Sequence, residues 1–199
     1  MIAAMLRTCS LTLALLLLAS CSDSELVGVH VALRKDGSGT LTARALQSTT
    51  NAGPAESQTK GVEWQARANL VSSQGSFQSL AAVELGQGEV RFAPGADGAP
   101  RLRVFLARGK DLAWVKALVP DEATRKSLAK VHDPNSKQKE IADTIRFEIR
   151  LPDQVVSSGV APTGRGIEAA HEQTRAFLML PVAAMLTDGD ELTWDISWK

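Results

Sequence analysis

The stretch Ile145-Arg146-Phe147-Glu148-Ile149-Arg150-Leu151-Pro152-Asp153 decides the fold of this 199-residue chain. Large apolar side chains occupy every second position up to Leu151, and charged side chains lie between them. This alternation is typical of a β-strand that buries one face and exposes the other. Each buried large side chain contributes about 1.5–3 kcal/mol, so the row fixes the register of the strand. Pro152 and Asp153 end the strand.

The same alternation begins the folded part of the chain and predicts a β-hairpin. Val27, Val29, Val31 and Leu33 precede the turn sequence Asp36-Gly37-Ser38-Gly39, and Leu41, Ala43 and Ala45 follow it. The polar segment from Gln47 to Lys60 predicts an exposed loop.

Four more stretches predict strands with one apolar face. Their apolar residues are Val62, Trp64, Ala66, Ala68 and Leu70, then Val90 and Phe92, then Leu102, Val104 and Leu106, and finally Leu192, Trp194, Ile196 and Trp198. Gly95 to Pro100 predicts a turn between the second and third of these stretches.

Two segments predict helices instead. One begins at Pro120-Asp121, has Glu122 and Lys126 one turn apart and Leu128 and Val131 as its apolar stripe, and ends at His132-Asp133-Pro134. A shorter helical turn follows Pro181. The chain is therefore predicted to be an α+β domain, a mostly antiparallel β-sheet with one or two covering helices.

The first residues predict export. Arg7 precedes an apolar run from Leu11 to Ala19, and small residues precede a cysteine in Leu18-Ala19-Ser20-Cys21. This quartet resembles the lipobox of bacterial lipoproteins, and by that resemblance Cys21 is acylated and becomes the mature first residue. The alternative is an ordinary secretory leader that contains a chance cysteine.

These observations divide the chain into residues 1–20 as a lipoprotein signal peptide, residues 21–25 as a short lipidated tether, and residues 26–199 as a single extracytoplasmic domain. Cys9 leaves with the leader and Cys21 carries lipid, so the prediction leaves no cysteine for a disulfide. The whole chain carries 22 basic and 22 acidic residues. Without an excess of basic charge, nucleic acid is not a predicted partner.

The sequence contains no complete catalytic or metal-binding motif that we recognise. His171-Glu172 begins like a zinc-protease helix, but position 175 is arginine. His30 and His132 lie in other contexts, and Gly159 to Gly164 has the spacing of a P-loop without the lysine that should follow. We therefore predict no enzyme activity, no metal and no cofactor. Trp64, Trp114, Trp194 and Trp198 are predicted to pack from strands into the core.

Strand alternation also places a set of arginines on outward faces. The set comprises Arg91, Arg101, Arg103, Arg146 and Arg150, with Glu89 and Glu148 partly balancing it. We take Arg101, Arg103, Arg146 and Arg150 as candidate binding residues for anionic lipid headgroups. The alternative is a solvated sheet face that resists aggregation.

The opening hairpin, the run from Ile145 to Gly159 and the strand from Leu192 to Trp198 resemble the LppM-type domain of bacterial lipoproteins. The resemblance implies an extracytoplasmic lipoprotein domain and a lipid or glycolipid as the class of ligand.

Together these features predict a lipoprotein of the bacterial cell envelope, in the outer membrane where the cell has one, because Ser22 follows the cysteine. Its expected role is that of a non-enzymatic binding or interaction module. Its expected partners are the membrane, through the acyl chains, and a lipid, glycolipid or envelope protein. One alternative is a lipid or lipoprotein carrier with an apolar cavity, and a second is an envelope hydrolase that uses His171 or His132.

Overall fold

The computed structural model describes residues 27–45, 59–60, 63–64, 72–119, 121–123, 125–126 and 143–199. These residues form thirteen β-strands in two sheets. Sheet I contains Val27–Leu33 (β1), Gly39–Ala45 (β2), Glu63–Trp64 (β4), Ser72–Phe77 (β5), Thr144–Arg150 (β9), Glu168–Glu172 (β11) and Arg175–Pro181 (β12). Sheet II contains Thr59–Lys60 (β3), Glu84–Leu85 (β6), Val90–Pro94 (β7), Arg101–Arg108 (β8), Val155–Ala161 (β10) and Gly189–Trp198 (β13).

The strand order is β11-β12-β9-β1-β2-β5-β4 in sheet I and β10-β13-β8-β7-β6-β3 in sheet II. Within sheet I, β1 pairs antiparallel with β2 and parallel with β9, where Val27 lies opposite Ile145. The other described pairs are antiparallel.

Helices are short in the described part of the chain. Ala113–Leu118 (α1) follows β8, and Val182–Met185 (α2) follows β12. Two 3-10 helices span Leu80–Ala82 and Ala96–Gly98. The α+β prediction is confirmed, although the strands form two sheets instead of one.

The apolar faces of the two sheets contribute to one hydrophobic core. Phe147 from β9 and Trp194 from β13 are both fully buried in it. Trp114 from α1 is buried beside Phe147, with the two rings edge to face and their centroids 6.0 Å apart. The second sheet therefore covers the apolar face that sequence patterning had assigned to helices.

The structure confirms the predicted hairpin and the helical turn after Pro181. It also confirms the predicted strands at 90–94, 101–108, 144–150 and 189–198. In the predicted loop, Thr59 and Lys60 instead form β3, which pairs with β6, and residues 47–58 lie outside the described ranges. Of the predicted strand at 62–70, only Glu63 and Trp64 are described, as β4.

The helix predicted after Pro120 begins with the expected turn, in which Lys126 Nζ lies 2.7 Å from Glu122 Oε1. Leu128, Val131 and His132 lie outside the described residues.

Trp114 corrects one prediction because it lies on α1 and not on a strand. The backbone amides of Ala113 and Trp114 donate to the two carboxylate oxygens of Glu89, at 2.9 and 3.0 Å. A carboxylate at a helix N-terminus satisfies amides that have no partner within the helix. Alternation predicted that Glu89 would balance the outward arginines. That prediction is wrong, because Glu89 instead holds α1 in place.

The other tryptophans differ in environment. Trp194 is buried and its indole Nε1 donates to Ser158 Oγ at 2.8 Å. Trp198 is partly buried against the core, and the side chain of Trp64 lies outside the described residues. Core packing of Trp114 and Trp194 agrees with the prediction.

Candidate functional site

The outward face of sheet II carries Arg101 and Arg103 on β8. Both guanidinium groups donate to Asp195 on the neighbouring strand β13, Arg101 through Nε at 2.8 Å and through a second nitrogen, and Arg103 through Nε at 3.3 Å. These hydrogen bonds, that of Arg101 first, hold the pKa of Asp195 below its ordinary value. The same contact raises the pKa of Arg101. Two cations thus share one carboxylate.

Arg91 extends this face along β7. Its guanidinium lies 2.7 Å from Glu191 and 5.2 Å from the ring centre of Phe105, so it combines an ion pair with a cation-π contact. The outward face of sheet II is therefore a network of paired charges around three arginines.

The outward face of sheet I has a different centre, Glu148 on β9. Its carboxylate lies 3.0 Å from Arg146, 3.7 Å from His30 Nδ1 and 3.9 Å from Arg175. The Glu148 side chain is only 18% exposed. The contact with His30, followed by the charges of Arg146 and Arg175, lowers the pKa of Glu148 despite its partial burial.

Phe177 on β12 lies between the arginines of this cluster. The Arg146 guanidinium is 4.7 Å from the ring centre and that of Arg175 is 5.4 Å from it. Arg175 also binds Glu172 at 2.8 Å. These contacts join five residues into one network, which we call the Glu148 cluster. Its members are Arg146, Glu148, Arg175, Phe177 and His30.

Arg150 lies beyond this cluster on the same face of β9. It is paired in register with Arg175 on one side and with Ala32 on the other. Its side chain is exposed, and it has no ion pair with any residue that the structure describes. Arg146 is already paired with Glu148, so Arg150 is the more available of these two candidate arginines on β9 for an outside anion.

The four candidate arginines therefore fall into two patches. Arg101 and Arg103 face outward from sheet II, whereas Arg146 and Arg150 face outward from sheet I. Alternation placed each on an outward face, but β8 and β9 belong to different sheets. Cys21 lies outside the described residues.

The histidines do not come together. His30 belongs to the Glu148 cluster on β1, and His171 is exposed on β11, three strands away in sheet I, roughly 14 Å at ordinary strand spacing. Among the described residues, no group of three or more His, Cys, Asp or Glu side chains is arranged to hold a metal ion. Within the same ranges, no helix is both long and apolar enough to cross a bilayer.

The Glu148 cluster predicts a pH dependence of stability. Because the folded-state pKa of Glu148 is below its ordinary value of 4.5, its stabilising contacts are fully present above that value and are lost as the pH falls through the folded pKa. Urea unfolding measured at a series of pH values should show that the unfolding free energy of Glu148→Gln falls less steeply with acid than that of the unmodified chain.

The control is Glu122→Gln, which removes an exposed carboxylate whose pKa is also lowered, by Lys126. Its effect on the slope should have the same sign and be smaller, because water and salt screen an exposed pair. Equal slopes for Glu148→Gln and the unmodified chain would contradict the role assigned to the cluster.

Comparisons with known proteins give one weak structural similarity. No family model and no curated protein matches the chain. The folded domain of LppM from Mycobacterium tuberculosis, solved by NMR, is similar with a TM-score of 0.38 and 14% sequence identity, over 90% of this chain and 94% of that chain.

Proposed function

We propose that the chain is a lipid-anchored lipoprotein of the bacterial envelope whose β-sheet domain acts as a non-enzymatic binding module near the membrane. The observation that carries this proposal is the quartet Leu18-Ala19-Ser20-Cys21 at the end of a short apolar run. The apolar run is too short for a membrane-spanning helix, which needs about 20 residues. Attachment therefore depends on acyl chains on Cys21, and two or more such chains make it durable.

The start of the fold supports a position close to the membrane. β1 begins at Val27, six residues after Cys21. Six extended residues reach at most about 20 Å, so the domain cannot move far from the headgroups. Ser22 beside the cysteine favours the outer membrane in a cell that has one.

The outward faces support recognition of charged groups. Arg101 and Arg103 on sheet II and Arg146 and Arg150 on sheet I are proposed contacts for anionic headgroups. Each basic residue near such a surface adds about 1 kcal/mol of attraction. The carrier alternative needs an apolar cavity. Two cavities that the described residues form have charged side chains in their linings, Arg34 and Arg150 in one and Arg125 and Asp143 in the other.

Metabolic labelling with palmitate tests the anchor. The full chain, expressed in a bacterium that processes lipoproteins, should incorporate the label and partition with membranes. Cys21→Ser should lose both the label and the membrane partition, because no thiol remains at the cleavage site. The matched control is Cys9→Ser, which removes the leader's other cysteine and should leave both unchanged.

Undiminished labelling of Cys21→Ser would contradict the proposal, and so would recovery of the chain without substitutions from the aqueous fraction.

Binding by the arginines is tested separately, by flotation of the chain with vesicles of phosphatidylglycerol or phosphatidylcholine. Arg101→Glu with Arg103→Glu should reduce binding to the anionic vesicles alone.

A further inference from the structure

The outward face of sheet I has a depression near the β1-β2 turn. Three strands contribute one residue each to a row that runs Arg150 on β9, Ala32 on β1 and Thr40 on β2. Alanine is the smallest of the three, so its methyl group leaves a gap between the longer side chains. The gap is the floor of a cavity of about 360 Å³.

The walls of the cavity come from residues at the ends of strands. Leu33 and Arg34 follow Ala32, Leu151 and Pro152 follow Arg150, and Thr174 immediately precedes β12. The lining thus combines two guanidinium groups and two hydroxyl groups with an apolar surface. None of the described lining residues is acidic.

The two arginines differ in their existing contacts. Arg150 forms no ion pair within the described ranges. A guanidinium nitrogen of Arg34 lies 3.3 Å from Ser38 Oγ, and that hydroxyl in turn donates to Asp36 Oδ1 at 2.7 Å. Ser38 therefore orients Arg34, and most of the donors of both guanidinium groups remain available to an outside acceptor.

We propose that this cavity binds a small organic phosphate. Guanidinium groups match the oxygens of a phosphate through paired hydrogen bonds, and the threonine hydroxyls of Thr40 and Thr174 can donate to the remaining oxygen. The cavity volume is at the lower end of the range for small-molecule sites, which leaves room for a small apolar body beside the phosphate. Leu33, Leu151 and Pro152 supply the surface for that body.

The site does not depend on the lipid anchor. Ala32 lies five residues along β1 from Val27, about 17 Å from the end of the strand at which the tether joins. The phosphate can belong to a dissolved compound or to a lipid headgroup, and the experiment separates these two sources.

Isothermal titration calorimetry of the full chain in phosphatidylcholine nanodiscs tests the site, with phenyl phosphate as the probe. Phenol, which has the same ring without the phosphate, should not bind, and inorganic phosphate should bind more weakly because it lacks the apolar body. The titration is repeated with the full-length Cys21→Ser chain in solution. A failure of lipidation therefore leaves the binding result interpretable.

Arg150→Gln and Arg34→Gln should each weaken phenyl phosphate binding about tenfold or more, since each removes charge-assisted hydrogen bonds. Ala32→Leu should abolish binding by filling the floor without a change of charge. The matched control is Lys35→Gln. It removes one positive charge from the same turn, where Lys35 pairs with Asp153 at 3.1 Å, but Lys35 is not among the described lining residues. Its effect should stay within about threefold.

Unchanged thermal unfolding of each variant establishes that the fold is intact. The proposal fails if phenyl phosphate does not bind the unmodified chain, if Ala32→Leu binds as well as that chain, or if Lys35→Gln weakens binding as much as Arg150→Gln. The same titration in nanodiscs that contain phosphatidylglycerol identifies the source of the phosphate. Weaker phenyl phosphate binding in these discs supports a lipid headgroup in the cavity, and undiminished binding supports a dissolved phosphate compound.

Discussion

Phe147→Ala is expected to reduce the free energy of unfolding by about 3–5 kcal/mol, because it removes a large side chain from the middle of the core. Phe147 is fully buried on the central part of sheet I and contacts the Trp114 ring edge to face. The cavity left behind would separate β9 from α1. Urea unfolding followed by tryptophan fluorescence measures the loss, since Trp114 and Trp194 are both buried.

Phe105→Ala is the matched control for this substitution. Phe105 is also in the middle of a central strand, β8, but it faces outward under Arg91. The same chemical change there should cost only about 1 kcal/mol, mainly from the lost cation-π contact and partial burial. Equal losses for the two variants would show that Phe147 does not organise the core as described.

Gly86→Ala is expected to reduce the free energy of unfolding by at least about 3 kcal/mol through the loss of the contact between Glu89 and α1. Gly86 has a φ of +61°, and a Cβ placed there would lie 2.2 Å from Glu89 Oε2 and 2.9 Å from the Trp114 amide nitrogen. The carboxylate would have to leave the helix, and each hydrogen bond to a charged group contributes about 1.5–3 kcal/mol. Hydrogen exchange should show lost protection of the Ala113 and Trp114 amides.

The control is Gly98→Ala. Gly98 has a φ of +73°, but no heavy atom lies within 4 Å of the position its Cβ would take. The two variants share the strain of a left-handed backbone, about 1–2 kcal/mol, and only Gly86→Ala adds the steric conflict. If both variants lost the same stability with the α1 amides still protected, the role given to Glu89 would be wrong.

The strands that sequence patterning predicted are those in which large apolar residues alternate with polar, charged or small ones. β9 alternates throughout, and β8 alternates from Arg101 to Val104 and keeps apolar residues on its buried side as far as Leu106, so their side-chain directions followed from periodicity. β12 was missed because Phe177 and Met179 on its outward side are apolar too, which hides the alternation of the buried residues Ala176, Leu178 and Leu180. The edge strands β10 and β11 were missed because most of their residues are exposed and small or polar.

The short helix α1 was missed for a different reason. It has six residues and no side-chain cap from its own N-cap position, and its amides are held by Glu89, 24 residues earlier in the chain. A contact that distant leaves no mark on local sequence pattern. The same limit affected the candidate site, because alternation indicates which way Arg101 and Arg146 point but not that their strands belong to different sheets. The cavity over Ala32 likewise depends on which strands are neighbours, and only the fold supplies that.

The parallel pairing of β1 with β9 has a consequence for how the chain reaches its final form. One edge of β1 can pair only after β9 has been synthesised, because Val27 lies opposite Ile145, well over a hundred residues later in the chain. Contacts between such distant segments slow folding, because a large loop must close first. A chain that emerges from the ribosome N-terminus first therefore carries an early hairpin with one unprotected edge, to which a holding chaperone would be expected to bind until the C-terminal third of the chain arrives.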